Sequence, residues 1–212
     1  MKRKRKPDIW ISPPRLSWSF IREKAEEFRS RYVGSVYSIP VPIIEIVELT
    51  FKLEPIPIRG LMEKIDIDGF ITKDLKNICI DYDIYMDPRR ENRLRFTYAH
   101  EIGHLILHEK EIRETTFRTP EDWIHFREDF LEDDLNWFES QAYEFAGRLL
   151  VPKEKLFEEI QGLHAKIKEF RVLAGDEEES LIEAVSGVIC EKFKVSRDVI
   201  QKRIRKEKLK LY

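Results

Sequence analysis

The chain has 212 residues, 42% hydrophobic and 37% charged, with a formal net charge of −2. That balance fills a core, leaves a well-solvated surface and excludes a chain that binds polyanions by overall charge. No apolar run approaches the ~18 residues of a membrane span, which excludes an integral helical membrane protein.

The charge is uneven along the chain. Residues 2–6 read Lys-Arg-Lys-Arg-Lys, the stretch 121–139 is acidic, and the last twenty residues are basic again. Pro7, Pro13 and Pro14 follow the first basic run where a signal peptide would carry an apolar stretch, so a cytoplasmic protein is expected. Cys79 and Cys190 lie far apart and match no metal or redox spacing; they read as two thiols in a reducing compartment.

Residues 1–16 read as a flexible basic arm, with weak attraction to nucleic acid as the sharper alternative. From Ser17 to Tyr32 the row Phe20, Ile21, Ala25, Phe28 and Tyr32 has helical spacing, with Ser17 or Ser19 placed to cap it. Pro40 and Pro42 break the chain, and a short helix follows through Ile43, Ile46, Val47 and Leu49. Three Ile-rich stretches, 51–58, 65–72 and 77–82, are separated by the turn signals Asp68-Gly69 and Lys73-Asp74 and predict a small antiparallel sheet. Pro55 and Pro57 put the first of these strands at an edge. Helical spacing resumes over 91–109, 135–150, 152–170 and 180–193, and Ser196 caps a last helix. The predicted architecture is α+β, with the sheet followed by a mostly helical half. Its segments are a domain over 17–178 and a basic helical tail over 179–212. That tail reads either as an amphipathic helix packed on the core or as a helix-turn-helix-like element facing DNA or a DNA-bound protein.

His100 and His104 stand four apart on a strongly helical stretch, so both imidazoles leave one face about one turn apart. Two neutral ring nitrogens at that spacing can reach one tetrahedral ion at ~2.0–2.1 Å. Glu101 projects beside such an ion, where it can take a proton from an attacking water. A metal lowers the pKa of water from about 15.7 to about 7. At ~1.36 kcal/mol per unit this amounts to about 12 kcal/mol of stabilised hydroxide, beyond the reach of a carboxylate alone. Gly103 costs roughly 1 kcal/mol in a helix interior, which points to a close approach by another backbone or a substrate.

The third ligand comes from the next helix, where Glu139 and Glu144 are the candidates. Glu139 lies on the edge of the stripe formed by Ala142, Phe145-Ala146 and Leu149-Leu150 and is preferred. Glu144, about 140° around the helix from it, is expected to face water. His108 continues the row from His104, but one straight helix cannot wrap three side chains around an ion, so it reads as a helix-end or supporting residue. His125 and His164 read as ordinary polar positions, and Tyr98 and Tyr143 as hydroxyls near enough in sequence to assist an oxyanion. Zinc is the default ion, and a set of two histidines and one carboxylate also accepts manganese or iron.

The blocks Arg95-Phe96-Thr97-Tyr98-Ala99-His100-Glu101-Ile102-Gly103-His104-Leu105-Ile106-Leu107-His108, Glu139-Ser140-Gln141-Ala142-Tyr143-Glu144-Phe145-Ala146 and Leu149-Leu150-Val151-Pro152 together resemble the ImmA/IrrE metallopeptidases. The resemblance implies a zincin-like helical core, a metal held by His100, His104 and Glu139, and Glu101 as catalytic base. It further implies that the substrate is a regulatory protein, typically a DNA-binding transcriptional repressor. The stretch before the sheet is too short for the extra helix-turn-helix domain that some members carry, so the repressor is expected to be a separate protein. The acidic stretch 121–139 is longer than the family pattern and reads as a lid or docking surface for a basic partner. The rival reading is a non-catalytic, metal-stabilised module that binds a repressor or toxin.

Overall fold

The computed structural model describes residues 12–34, 38–114, 132–174 and 177–211. The basic run 2–6, His125 and most of the acidic stretch lie outside the described residues. Helix α1 (Trp18–Tyr32) starts where Ser17 Oγ accepts from Phe20 N at 3.2 Å, and it buries Ile21, Ala25 and Phe28 on one face. A short turn of helix, α2 (Ile43–Glu45), runs into a π-helical turn at Ile46–Thr50 and leads to the sheet.

Strand β1 (Glu54–Ile58) is followed by α3 (Leu61–Ile65) and the hairpin β2 (Gly69–Ile71) and β3 (Asn77–Asp81). The spatial order is β1-β3-β2. The α+β class is as predicted, but the sheet is mixed. The β2–β3 pair is antiparallel, while β1 runs parallel to β3, with Glu54 opposite Asn77 and Ile58 opposite Asp81. The chain has the length of α3 and β2 in which to return, so the parallel crossover is affordable. Alternation of side chains carries no information on that direction. The prolines do place β1 at an edge. Glu54 N–H donates to Lys76 O at 2.9 Å, so Pro55 and Pro57 fall on the outward side and leave it without N–H donors there.

Asp81 ends β3 and caps α4 (Tyr82–Met86), its Oδ1 accepting from Asp83 N and Ile84 N. Helix α5 (Glu91–Leu107) follows a 3-10 turn and continues after His108 into α6 (Glu109–Glu114). Helix α7 (Glu132–Leu150) opens with Glu132, Asp133 and Asp134, whose charge suits the positive end of a helix. The predicted single helix over 152–170 is two: α8 (Lys153–Gly162) and α9 (His164–Ala174), divided at Gly162-Leu163. Then α10 (Glu178–Phe193) ends at Lys194, in the left-handed region with φ 53°, and α11 (Arg197–Glu207) starts at the cap Ser196.

One apolar cluster joins Ile21 and Phe28 of α1, Ile102 of α5, Phe145 and Leu149 of α7, and Ile189, Ile200 and Ile204 of the last two helices. The basic terminal helix thus buries an apolar row, and much of its charge is paired with acids. Arg203 pairs with Glu207, Arg205 with Glu179, and Lys206 with Glu144. Among the described residues no helix is long and apolar enough to cross a membrane.

Candidate metal centre

Helices α5 and α7 form the site because Gly103 lets their backbones meet. A Cβ on Gly103 would lie 3.0 Å from Ala142 O and 3.2 Å from Ala142 Cα. The close approach anticipated at this glycine is therefore that of a second backbone. Glu139, one turn before Ala142, is carried to the imidazoles on α5.

His100 Nε2 lies 3.0 Å from His104 Nε2 and 3.2 Å from Glu139 Oε2, and His104 Nε2 lies 3.6 Å from Glu139 Oε2. An ion with tetrahedral bonds of ~2.0–2.1 Å holds its ligand atoms ~3.3 Å apart. The triangle of atoms fits that spacing, and His100, His104 and Glu139 could together hold a metal ion. The protonation tendencies of Glu139 and His104 suit ligation, and that of His100 runs the other way. Burial pushes Glu139 upward, but its contacts with His100 and His104 outweigh this and hold the carboxylate well below its usual range. Burial lowers His104, which keeps the ring neutral and a lone pair free. Burial also opposes charge on His100, but the hydrogen bond it makes to the Glu139 carboxylate raises it on balance.

Glu101 is 4% exposed, and its Oε2 accepts from Ile71 N–H at 3.0 Å. Burial pushes its pKa up to about 8, with His100 drawing it back. Strand β2 thus supports the Glu101 carboxyl, a contact that the sequence did not disclose. Gly69 makes this approach feasible, since a Cβ there would meet Cys79 O at 2.6 Å and Thr97 Cγ2 at 3.0 Å.

A cleft of about 350 Å³ opens over these groups, lined also by Met62, Asp66, Asp68, Arg93 and Tyr143. Arg93 and Asp68 form a two-pronged pair at 2.7 and 2.8 Å that fastens β2 to α5 at the mouth. Phe138 is 1% exposed and lies against both imidazoles deeper in, with ring centroids 4.2 Å from His104 and 4.4 Å from His108. The helical row Phe138, Ala142, Phe145 was the available signal for it.

Two expectations are corrected. Glu144 does not face water: it is 4% exposed, and Arg148, Arg203 and Lys206 surround its carboxylate. Glu144 does point away from Glu139 around the helix, but α11 covers that side of α7 and brings Arg203 and Lys206 to it. Tyr98 is fully buried away from the cleft and donates to Glu48 Oε1 at 2.6 Å, so it cannot assist an oxyanion there. Tyr143, by contrast, lines the cleft, with Lys202 Nζ 3.2 Å from its hydroxyl. His108 is wholly buried and outside the candidate ligand set.

A helix-borne pair of histidines joined by a carboxylate from a second helix, beside a buried glutamate, defines a candidate hydrolytic metal site of the metallopeptidase kind. The profile of the family Peptidase_M78, described as the IrrE N-terminal-like domain, matches residues 58–205, and the chain belongs to that family. Both helices of the site fall inside the match. A comparison with curated proteins found no match.

Proposed function

We propose that the protein is a cytoplasmic zinc-dependent endopeptidase that cleaves a regulatory protein, a DNA-binding transcriptional repressor. The observation that carries this reading is the ligand triangle with Glu101 beside it. His100, His104 and Glu139 would hold the ion, zinc by default and manganese or iron as alternatives for this donor set. A divalent ion bound there supplies Lewis acidity, which acidifies an attacking water and polarises the scissile carbonyl.

The remaining work belongs to the chain. Glu101 Oε2 is tied to Ile71 N–H, which leaves Oε1 to take the proton of the attacking water and pass it to the leaving amine. A carboxyl with its pKa raised by burial is suited to both directions of transfer near neutral pH. Phe138 closes the inner wall against bulk water, while Arg93 and Asp68 keep the mouth in shape. Asp66 at the cleft and Glu132 and Asp133 at the start of α7 favour a basic protein partner. The ion pairs that take up Arg203, Arg205 and Lys206 weigh against direct DNA binding by the last helix.

The test compares new protein N-termini in cells that express the native chain or Glu101→Gln at equal levels. A terminus within a DNA-binding protein that appears only with the native chain supports the proposal. If no terminus distinguishes the two while regulation persists in both, the protein acts as a binding module.

A further inference from the structure

His104 has two ring nitrogens and uses them in opposite directions. Nε2 faces His100 and Glu139, whereas Nδ1 lies 3.1 Å from Nδ1 of His108. His108 is 0% exposed, and its other nitrogen, Nε2, is buried without a hydrogen-bond partner among the described residues. The ring of Phe138 lies against both imidazoles, at 4.2 and 4.4 Å between centroids, and limits their rotation. A hydrogen bond between two ring nitrogens needs one proton, shared between a donor and an acceptor. The pair therefore has two arrangements when both rings are neutral. If the proton sits on His108 Nδ1, His104 must carry its own proton on Nε2, and that nitrogen cannot act as a ligand. If it sits on His104 Nδ1, the lone pair of His104 Nε2 faces Glu139, and the proton of His108 moves to the buried Nε2.

We propose that His108 is a positioning residue: by accepting the Nδ1 proton of His104 it fixes the tautomer and ring orientation in which His104 Nε2 can bind a metal ion. The inference rests on the metal reading of this site and adds a residue outside the ligand set. Partners of this kind orient a metal-binding histidine and raise its basicity, and removing one typically lowers metal affinity about 10–100-fold. The unpartnered Nε2–H is the cost of the arrangement, and the surrounding apolar packing holds the ring in place despite it.

The test measures zinc affinity by competition with a chromophoric chelator for the native chain, His108→Leu and His108→Asn. Leucine fills space without accepting a hydrogen bond, while the asparagine oxygen can take the place of His108 Nδ1. Affinity is expected to fall about 10–100-fold with leucine and to recover largely with asparagine. Equal affinity in all three proteins, or equal losses in the two variants, overturns the inference while leaving the metal reading intact. A native chain that takes up no zinc overturns both. A second readout needs no variant: long-range proton–nitrogen NMR of the zinc-loaded native chain should show His108 protonated at Nε2 and bare at Nδ1. The reverse pattern refutes the proposal even if His108→Leu fails to fold.

Discussion

Removing Glu207 should destabilise the protein far more than removing any surface ion pair. Its side chain is 1% exposed, and the carboxylate lies 2.8 Å from Arg148 Nη1 and 3.3 Å from Arg22 Nη2, with Arg203 as a further partner. Glu207→Ala leaves the buried guanidinium groups of Arg148 and Arg203 with Glu144 as their remaining shared acid. Breaking a buried pair from one side costs about 3–5 kcal/mol. At ~2–4 °C per kcal/mol for a chain of this size, the melting temperature should fall by roughly 6–20 °C. Arg89→Ala is the control, because Arg89 pairs with Asp87 at 2.8 Å but is 89% exposed. Exposed pairs contribute about 0–1 kcal/mol. Burial pushes the Glu207 carboxyl upward, but Arg203 and Arg148 outweigh it and the pKa is lowered. A carboxylate held low in the folded state contributes stability above its unfolded pKa of about 4.3 and loses it as pH falls through the folded value. The difference between the native chain and Glu207→Gln should therefore be steady from neutral pH to about pH 5 and shrink at more acidic values. Calorimetric melts of these proteins give the answer. A shift for Glu207→Ala no larger than that for Arg89→Ala would mean that the buried ion-pair cluster does not stabilise the fold.

Three further outcomes follow from the site and its supports. Glu101→Gln should lower turnover by about 10²–10⁴-fold with metal content unchanged, read from peptide cleavage beside elemental analysis; metal loss in that variant would point to a ligand role instead. Gly103→Val should cost about 1–3 kcal/mol in denaturant melts, because its side chain meets the Ala142 backbone; an unchanged midpoint would contradict the close approach of α5 and α7. Gln141 is fully buried, accepts from Leu16 N–H at 3.0 Å and donates to Pro14 O at 3.0 Å. Gln141→Ala should cost about 1–3 kcal/mol and speed hydrogen exchange at Leu16, and unaltered exchange there would speak against this clamp.

The parts of the fold that were legible in the sequence are those fixed by local spacing. His100 and His104 share a face because a helix repeats every ~3.6 residues, and Glu139 sits on a readable apolar stripe. Ser17 and Ser196 announce their helices by the same local chemistry. What depended on distant chain was hidden. Glu144 looked solvent-facing because the cations that cover it arrive on α11, about sixty residues later. The parallel pairing of β1 was hidden because strand alternation is the same in either direction. Tyr98 stands two residues before His100, yet its position on the helix turns it towards Glu48. The break at Gly162 could have been read, since glycine commonly ends a helix. The support of Glu101 by Ile71 N–H could not, because a backbone donor leaves no trace in residue identity.

Everything proposed for the site depends on His100, His104 and Glu139 holding a metal ion. The most direct test is elemental mass spectrometry of the purified chain beside His104→Ala, with circular dichroism to establish that both are folded. About one zinc per native chain is expected, with none retained by the folded variant. A native chain that stays free of metal after incubation with zinc at neutral pH, or a variant that retains as much zinc, would contradict that ligand assignment.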